Sequence, residues 1–175
     1  MSRGRVFAAG LVSAGLVLIA DQLSKWWVLD ILRLPLRGRV DLLPVLSLTM
    51  VWNRGITFGL LHELGAWASP LLVATAVAIV LALGAWMYRA ERLLVVIALG
   101  GIVGGAIGNV IDRLRFGAVA DFIHAHAFGY SWYVFNIADA AIVCGVALLV
   151  LDTAMVRTTE AGHGKDNSRR RLHPP

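Results

Sequence analysis

Residues 93–113 read LLVVIALGGIVGGAIGNVIDR. Through Ile111 the run holds no charged side chain. It is about as long as a bilayer core requires of a helix, roughly 20 mostly apolar residues. Five glycines lie along it, Gly100, Gly101, Gly104, Gly105 and Gly108, giving small-xxx-small pairs at 100/104, 101/105 and 104/108. Helices approach closely on such a face. A phosphate-cradling loop would need a preceding strand and a Lys-Ser/Thr pair, and neither accompanies these glycines. The stretch therefore predicts a membrane helix packed tightly on its neighbours, with Asn109, Asp112 and Arg113 gathered at one end.

Working outward, three more stretches are long and apolar enough to span, at about residues 6–29, 67–88 and 134–155. The first could pass for a secretory signal, since Arg3 and Arg5 precede its apolar run. That run continues into Asp21-Gln22-Leu23-Ser24-Lys25 with no small-residue cleavage site, so it reads as a retained helix. A short turn, Arg89-Ala90-Glu91-Arg92, joins the second and third spans as an antiparallel hairpin. The composition agrees. Of 175 residues, 58% are apolar and 15% charged, and mean hydropathy is +0.74. Ordinary soluble domains carry about 25% charged residues. A disordered chain is excluded, and a soluble globule would lack the polar surface to cover its core. The lone Cys144 excludes a disulfide framework within the chain.

Net charge is 16 − 11 = +5. The basic residues fall between apolar blocks and in a polar C-terminal tail, which is the distribution of topology signals rather than of a nucleic-acid surface. Arg3, Arg5, Arg89, Arg92, Arg157, Lys165, Arg169, Arg170 and Arg171 fall on one side, clustered at the ends of short segments. That side is expected to be cytoplasmic, with both termini. Lys25, Arg33, Arg37, Arg39, Arg54, Arg113 and Arg115 then lie outside and need another explanation. Trp26, Trp27, Trp52, Trp67, Trp86 and Trp132 all sit near span ends, as aromatic belts do.

Residues 46–53, LSLTMVWN, alternate in part and suggest a half-buried strand, and residues 60–67 suggest a short amphipathic helix on the membrane. The expected fold is an all-α membrane protein. Four transmembrane helices carry a small extracytoplasmic β-sheet cap, at about 30–66, and a short interfacial helix. Residues 1–157 form one membrane-embedded domain, and 158–175 a disordered basic tail.

Ionisable groups in or beside spans are functional candidates by default. Asp21 and Lys25 are spaced i, i+4, and an ion pair that seats the helix end is the plain reading. The run Asn53-Arg54-Gly55-Ile56-Thr57-Phe58-Gly59 could be only a turn. Asp112 paired with Arg113 would form a charge system that could only tie a helix end to its loop. Asp139 is harder to dismiss. It lies about one turn inside an apolar helix, where a charged carboxylate costs about 2.5–3.5 kcal/mol at the span centre. If the loop from Asp112 to Asp121 folds back, Asp121 and Asp139 can meet. Two close carboxylates share a proton, which is the chemistry of an aspartic peptidase. By spacing alone, a polar network or an ion path stands beside that reading.

Five ordered blocks sharpen the choice: Asp21-Gln22-Leu23-Ser24-Lys25, the Asn53 to Gly59 run, the Gly104 to Arg113 run, Val119-Ala120-Asp121-Phe122, and Phe135-Asn136-Ile137-Ala138-Asp139. Together they resemble the lipoprotein signal peptidase (signal peptidase II) family of bacterial intramembrane aspartic peptidases, over residues 21–151. The resemblance implies that Asp121 and Asp139 are the catalytic pair, supported by Asp21, Lys25, Asn53, Gly105, Asn109, Asp112, Arg113 and Asn136. It implies a diacylglyceryl-modified prolipoprotein as substrate, cut on the amino side of the lipidated cysteine. It also implies a multi-pass protein of the bacterial cytoplasmic membrane, with its site near the outer face and membrane lipids around it. A monomer without a cofactor is expected. No metal is expected, because His62, His124, His126, His163 and His173 have no cysteine nearby, and His124-x-His126 is not a zinc-protease spacing. A small proton-coupled transporter or channel subunit is the competing class, and a non-catalytic lipid-binding or assembly protein is a second alternative. The lack of visible repeats and the one-sided polar residues argue against the transporter.

Overall fold

The computed structural model describes residues 2–55 and 67–172, with 156–172 as backbone only. Helix α1 spans Arg3–Trp26 and relaxes into a π-helical turn, Trp27–Ile31. A one-turn helix α2, Leu34–Arg37, leads into strands β1, Arg39–Leu43, and β2, Leu46–Asn53. Helices α3, Ala68–Arg89, and α4, Leu93–Phe116, form the expected hairpin. Strands β3, Val119–Ala127, and β4, Tyr130–Ser131, precede helix α5, Ile137–Leu172.

Four helical segments are long and apolar enough to cross a membrane: Arg3–Ile31, Ser69–Arg89, Leu93–Phe116 and Ile137–Met155. They match the four expected spans, with two informative shifts. α4 runs on past Ile111 because Asp112 turns inward to partners rather than out to lipid, and Gly117 ends the helix at φ +71. α5 starts at Ile137 rather than 134 because Phe135 is held extended against β3. The backbone of α5 carries on to Leu172, into the segment that composition reads as an irregular tail. A helix already nucleated adds a hydrogen bond with each further residue, so polar residues extend it readily. The expected interfacial helix at 60–67 lies almost wholly outside the described residues.

α4 is the central helix. In its most apolar stretch 61% of residues are buried, against 17% or less for the other three spans. The glycines explain this. A Cβ on Gly100 would strike the Gly10 carbonyl, and one on Gly104 the Ala14 carbonyl, both on α1. A Cβ on Gly105 would come within 2.6 Å of the Ala138 carbonyl oxygen on α5. Two glycine faces of one helix thus admit two neighbours at backbone contact. At the end nearest the α3–α4 turn, Val6, Met87, Val96 and Leu99 fill the space between helices. There Arg92 also pairs with the buried Asp152.

The cap is a four-stranded antiparallel sheet in the order β1-β2-β3-β4. β2 occupies the residues expected of it. β3 lies in a segment that the sequence reading treats as a loop. Val28, Leu34, Leu48 and Phe122 form a small core that joins the π-helical turn and α2 to the sheet.

Candidate active site

Asp121 sits on β3, where Val51 of β2 is its cross-strand partner. Asn53 lies two residues further along β2 on the same side, and its Nδ2 donates to Asp121 Oδ2 at 3.0 Å. The Asn53 carbonyl Oδ1 accepts from the Gly55 amide at 2.8 Å, an Asx turn that fixes the amide's direction. Gly55 sits at φ +72, a left-handed conformation that glycine adopts without a Cβ clash. Asp121 thus reaches the site on a strand rather than on the expected folded-back loop.

The chain after β4 returns along β3. Phe135 and Ile123 exchange backbone hydrogen bonds at 3.0 and 2.8 Å, which puts Asn136 beside Asp121. Asn136 precedes the first residue of α5. Its Oδ1 accepts from the Asp139 amide at 2.9 Å, and Asp139 Oδ2 accepts from the Asn136 amide at 3.3 Å. This reciprocal cap satisfies amides that a helix start leaves without partners. It also accounts for Asp139 one turn into an apolar helix. Asn136 Nδ2 then donates to Asp121 Oδ1 at 2.7 Å and to Asn109 Oδ1 at 3.2 Å. Asn109 Nδ2 donates to Asp139 Oδ1 at 2.8 Å. Two asparagines from α4 and the α5 cap therefore bridge the two carboxylates. Among the described residues no hydrogen bond joins the carboxylates directly.

Asp121 is buried while Asp139 is half-buried. Burial pushes the Asp121 carboxyl up to about 6. The Asn53 hydrogen bond opposes the rise, the charge of Asp139 adds to it, and the Asn136 bond opposes it again.

Behind the carboxylates lies a fully buried ionic cluster. Lys25 Nζ is 2.8 Å from Asp21 Oδ2 and 2.7 Å from Asp112 Oδ2, and it donates to Asn109 Oδ1 at 3.2 Å. The expectation that Asp112 pairs with Arg113 is corrected here. On a helix, adjacent residues point about 100° apart, so Asp112 faces α1 and Lys25. Among the described residues Arg113 bonds the Asn109 carbonyl, at 3.5 Å, while Asp139, Asp121 and Asp112 lie within its electrostatic reach. Asp21 Oδ1 accepts from the Ala138 amide at 3.1 Å, and Asp112 Oδ2 from the Ala120 amide at 3.1 Å. One carboxylate therefore holds the first turn of α5, and the other holds β3 next to Asp121. Gly108 makes room for Asp21, since a Cβ there would strike its carboxylate.

All ten residues singled out from sequence converge on this end of the bundle. The structure adds Gln22, which the sequence reading left unassigned within its block. Its Nε2 donates to Asp21 Oδ2 at 3.1 Å, Asp112 Oδ1 at 3.2 Å and the Gly108 carbonyl at 3.3 Å. Only its neighbours in the block hinted at this, because an amide on a span has no charge to draw notice. Among the described residues no three His, Cys, Asp or Glu side chains are placed to hold a metal ion.

The fold and site define a membrane-embedded protein with a paired-carboxylate centre where its helices meet a small sheet. A family profile described as Signal peptidase (SPase) II matches residues 13–155. The lipoprotein signal peptidase of Methylobacterium sp. (strain 4-46) is 51% identical over 152 residues, covering 85% of this chain and 90% of that protein. That of Nitrobacter hamburgensis is 44% identical over 157 residues, covering 87% and 95%. A solved bacterial membrane enzyme, 28% identical, superposes with a TM-score of 0.72 over 83% of this chain and 92% of its own. The chain belongs to the signal peptidase II family.

Proposed function

We propose that this protein removes the signal peptide from diacylglyceryl-modified bacterial prolipoproteins, cleaving on the amino side of the lipidated cysteine, with Asp121 and Asp139 as the catalytic pair. The observation that carries this reading is the bridge of Asn109 and Asn136 between the two carboxylates. Such a bridge holds two like-charged groups close without a direct contact, as general acid and base on one peptide bond require.

Burial favours the proton on Asp121, so Asp121 begins as the acid and the less buried Asp139 as the base. Asp139 takes a proton from a water molecule, whose oxygen attacks the scissile carbonyl carbon. Asp121 gives its proton to the carbonyl oxygen. The resulting gem-diol collapses as Asp121 takes back a proton from one hydroxyl, the C–N bond breaks, and the proton held by Asp139 goes to the leaving amine, which leaves a carboxylic acid and the starting protonation of the pair. A substrate whose signal helix and acyl chains lie in lipid meets this site at the membrane boundary, where the backbone can be extended and water is present.

The basic residues at the ends of the short segments support cytoplasmic termini, with the sheet and the aspartates on the outer side of the cytoplasmic membrane. The deciding experiment is hydrolysis of a purified diacylglyceryl-modified prolipoprotein by the detergent-solubilised protein. Binding without cleavage would reject the peptidase reading.

A further inference from the structure

The sheet carries a second polar cluster at the end remote from the aspartates. His124 and His126 alternate onto one face of β3, with ring centroids 5.3 Å apart. Arg39 on β1 brings Nη2 to 3.3 Å from His126 Nε2. A guanidinium only donates, so His126 Nε2 stands as the acceptor in this contact. Arg39 Nε is steadied by Asp41 Oδ1 at 2.7 Å, and His124 Nδ1 lies 3.4 Å from Ser47 Oγ. Arg39, His124 and His126 line a cleft of about 340 Å³ between the β1–β2 turn and the β3–β4 hairpin, with Tyr130 and Ser131 on its wall. A guanidinium, two imidazoles and two hydroxyls converge there, and the neighbouring carboxylate of Asp41 is already engaged by Arg39.

The rim of this cleft is apolar, although it lies outside the helical bundle. Leu43 and Val45 are half exposed at the first turn. Phe128, at the tip of the second, is fully exposed and sits at φ +51 before Gly129 at φ +80. A non-glycine residue at positive φ is uncommon, and a fully exposed ring gains nothing from water. Trp132 and Tyr133, both exposed, follow the hairpin and lead into the membrane span that begins at Ile137. Trp132 lines an adjoining cleft together with Val45, His126 and Tyr130, so the apolar rim reaches the aromatic residues that precede the span. A soluble anion would account for the donors and leave the rim unexplained. A phospholipid accounts for both.

We propose that the Arg39–His124–His126 cleft binds the phosphodiester headgroup of a phospholipid in the leaflet on the sheet side, with Leu43, Val45 and Phe128 among its acyl chains. The lipid fastens one end of β3 to the leaflet while the other end carries Asp121. It also gives a reason for Arg39 among the basic residues that orientation leaves unexplained. This binding site stands apart from the peptidase reading, and its test does not use hydrolysis.

The full-length protein in detergent is titrated with a short-chain phosphatidylglycerol, with the matching diacylglycerol that lacks phosphate, and with inorganic phosphate. Thermal unfolding and native mass spectrometry are the readouts. Phosphatidylglycerol is expected to raise the unfolding midpoint and remain as one adduct per chain, while the other two do neither. The double variant Arg39→Gln/His126→Gln should weaken lipid binding roughly tenfold or more, the worth of one charge-assisted hydrogen bond. Phe128→Ser changes only an exposed residue, so it tests the apolar rim even if the double variant folds poorly. Undiminished lipid binding by Phe128→Ser and by any folded double variant overturns the proposal. So does stabilisation by inorganic phosphate equal to that by the lipid, which would mark a free-anion site.

Discussion

Lys25 of α1 and Asp112 of α4 meet at 2.7 Å inside the bundle, and Asp112 holds the Ala120 amide beside Asp121. The same lysine holds Asp21, which caps α5 at Ala138. One ammonium group thus sets the relative positions of the strand and the helix that bear the two site carboxylates. Replacing it with an isosteric apolar residue, Lys25→Met, leaves two buried carboxylates without a cation. We expect a loss of about 3–5 kcal/mol. It is read as a large fall in the unfolding midpoint, and an unchanged midpoint would remove the cluster from the account of the fold.

Asp121→Asn and Asp139→Asn should each abolish turnover of a diacylglyceryl-modified substrate while the protein stays folded and inserted. Asparagine keeps the shape and much of the hydrogen bonding but takes no proton. Near-normal turnover by a folded Asp139→Asn protein would reject the aspartic mechanism.

Stability should respond to pH through Asp121. Its folded value, about 6, stands above the ordinary 3.8. A raised value means that the folded state holds its proton more tightly than the unfolded state does. The contribution is therefore complete below about pH 4 and is lost as pH rises through about 6. The midpoint of the wild type relative to Asp121→Asn should fall between pH 4 and pH 7, by the equivalent of up to about 3 kcal/mol. Parallel curves for the two proteins would show that the carboxyl is not raised.

Gln22 gives a test of positioning. Gln22→Glu adds a third carboxylate against Asp21 and Asp112, so it should lower both stability and turnover strongly. Gln22→Ala removes donors and should cost about 1–3 kcal/mol. Equal behaviour of the two variants would mean that the amide's donors are not what the cluster uses.

Close packing on α4 is checked with Gly104→Ala. Its new Cβ meets the Ala14 carbonyl, so α1 must shift, at about 1–3 kcal/mol. Gly84→Ala on α3 faces open space and serves as the control. Matching thermal curves for the two variants would contradict the packing described.

The four spans were legible in the sequence because lipid imposes a one-dimensional rule: a helix that crosses must be apolar for its whole length. The short alternation at 46–53 was enough to find β2. The glycine pairs announced a close helix face because small residues matter there for what they lack. The site residues were legible because buried charge is costly and therefore rare in such a chain. Their partners were not. Asp112 and Arg113 are neighbours in sequence, yet helix rotation sends Asp112 to Lys25. Asp121 read as a loop residue, because the hydrogen bonds that make β3 a strand come from β2 and from Phe135, both distant along the chain. Sequence determined which groups had to be hidden from lipid. Only the tertiary structure decided which of them met, because a hydrogen bond is set by distance and direction in space, and neither is written in the order of residues.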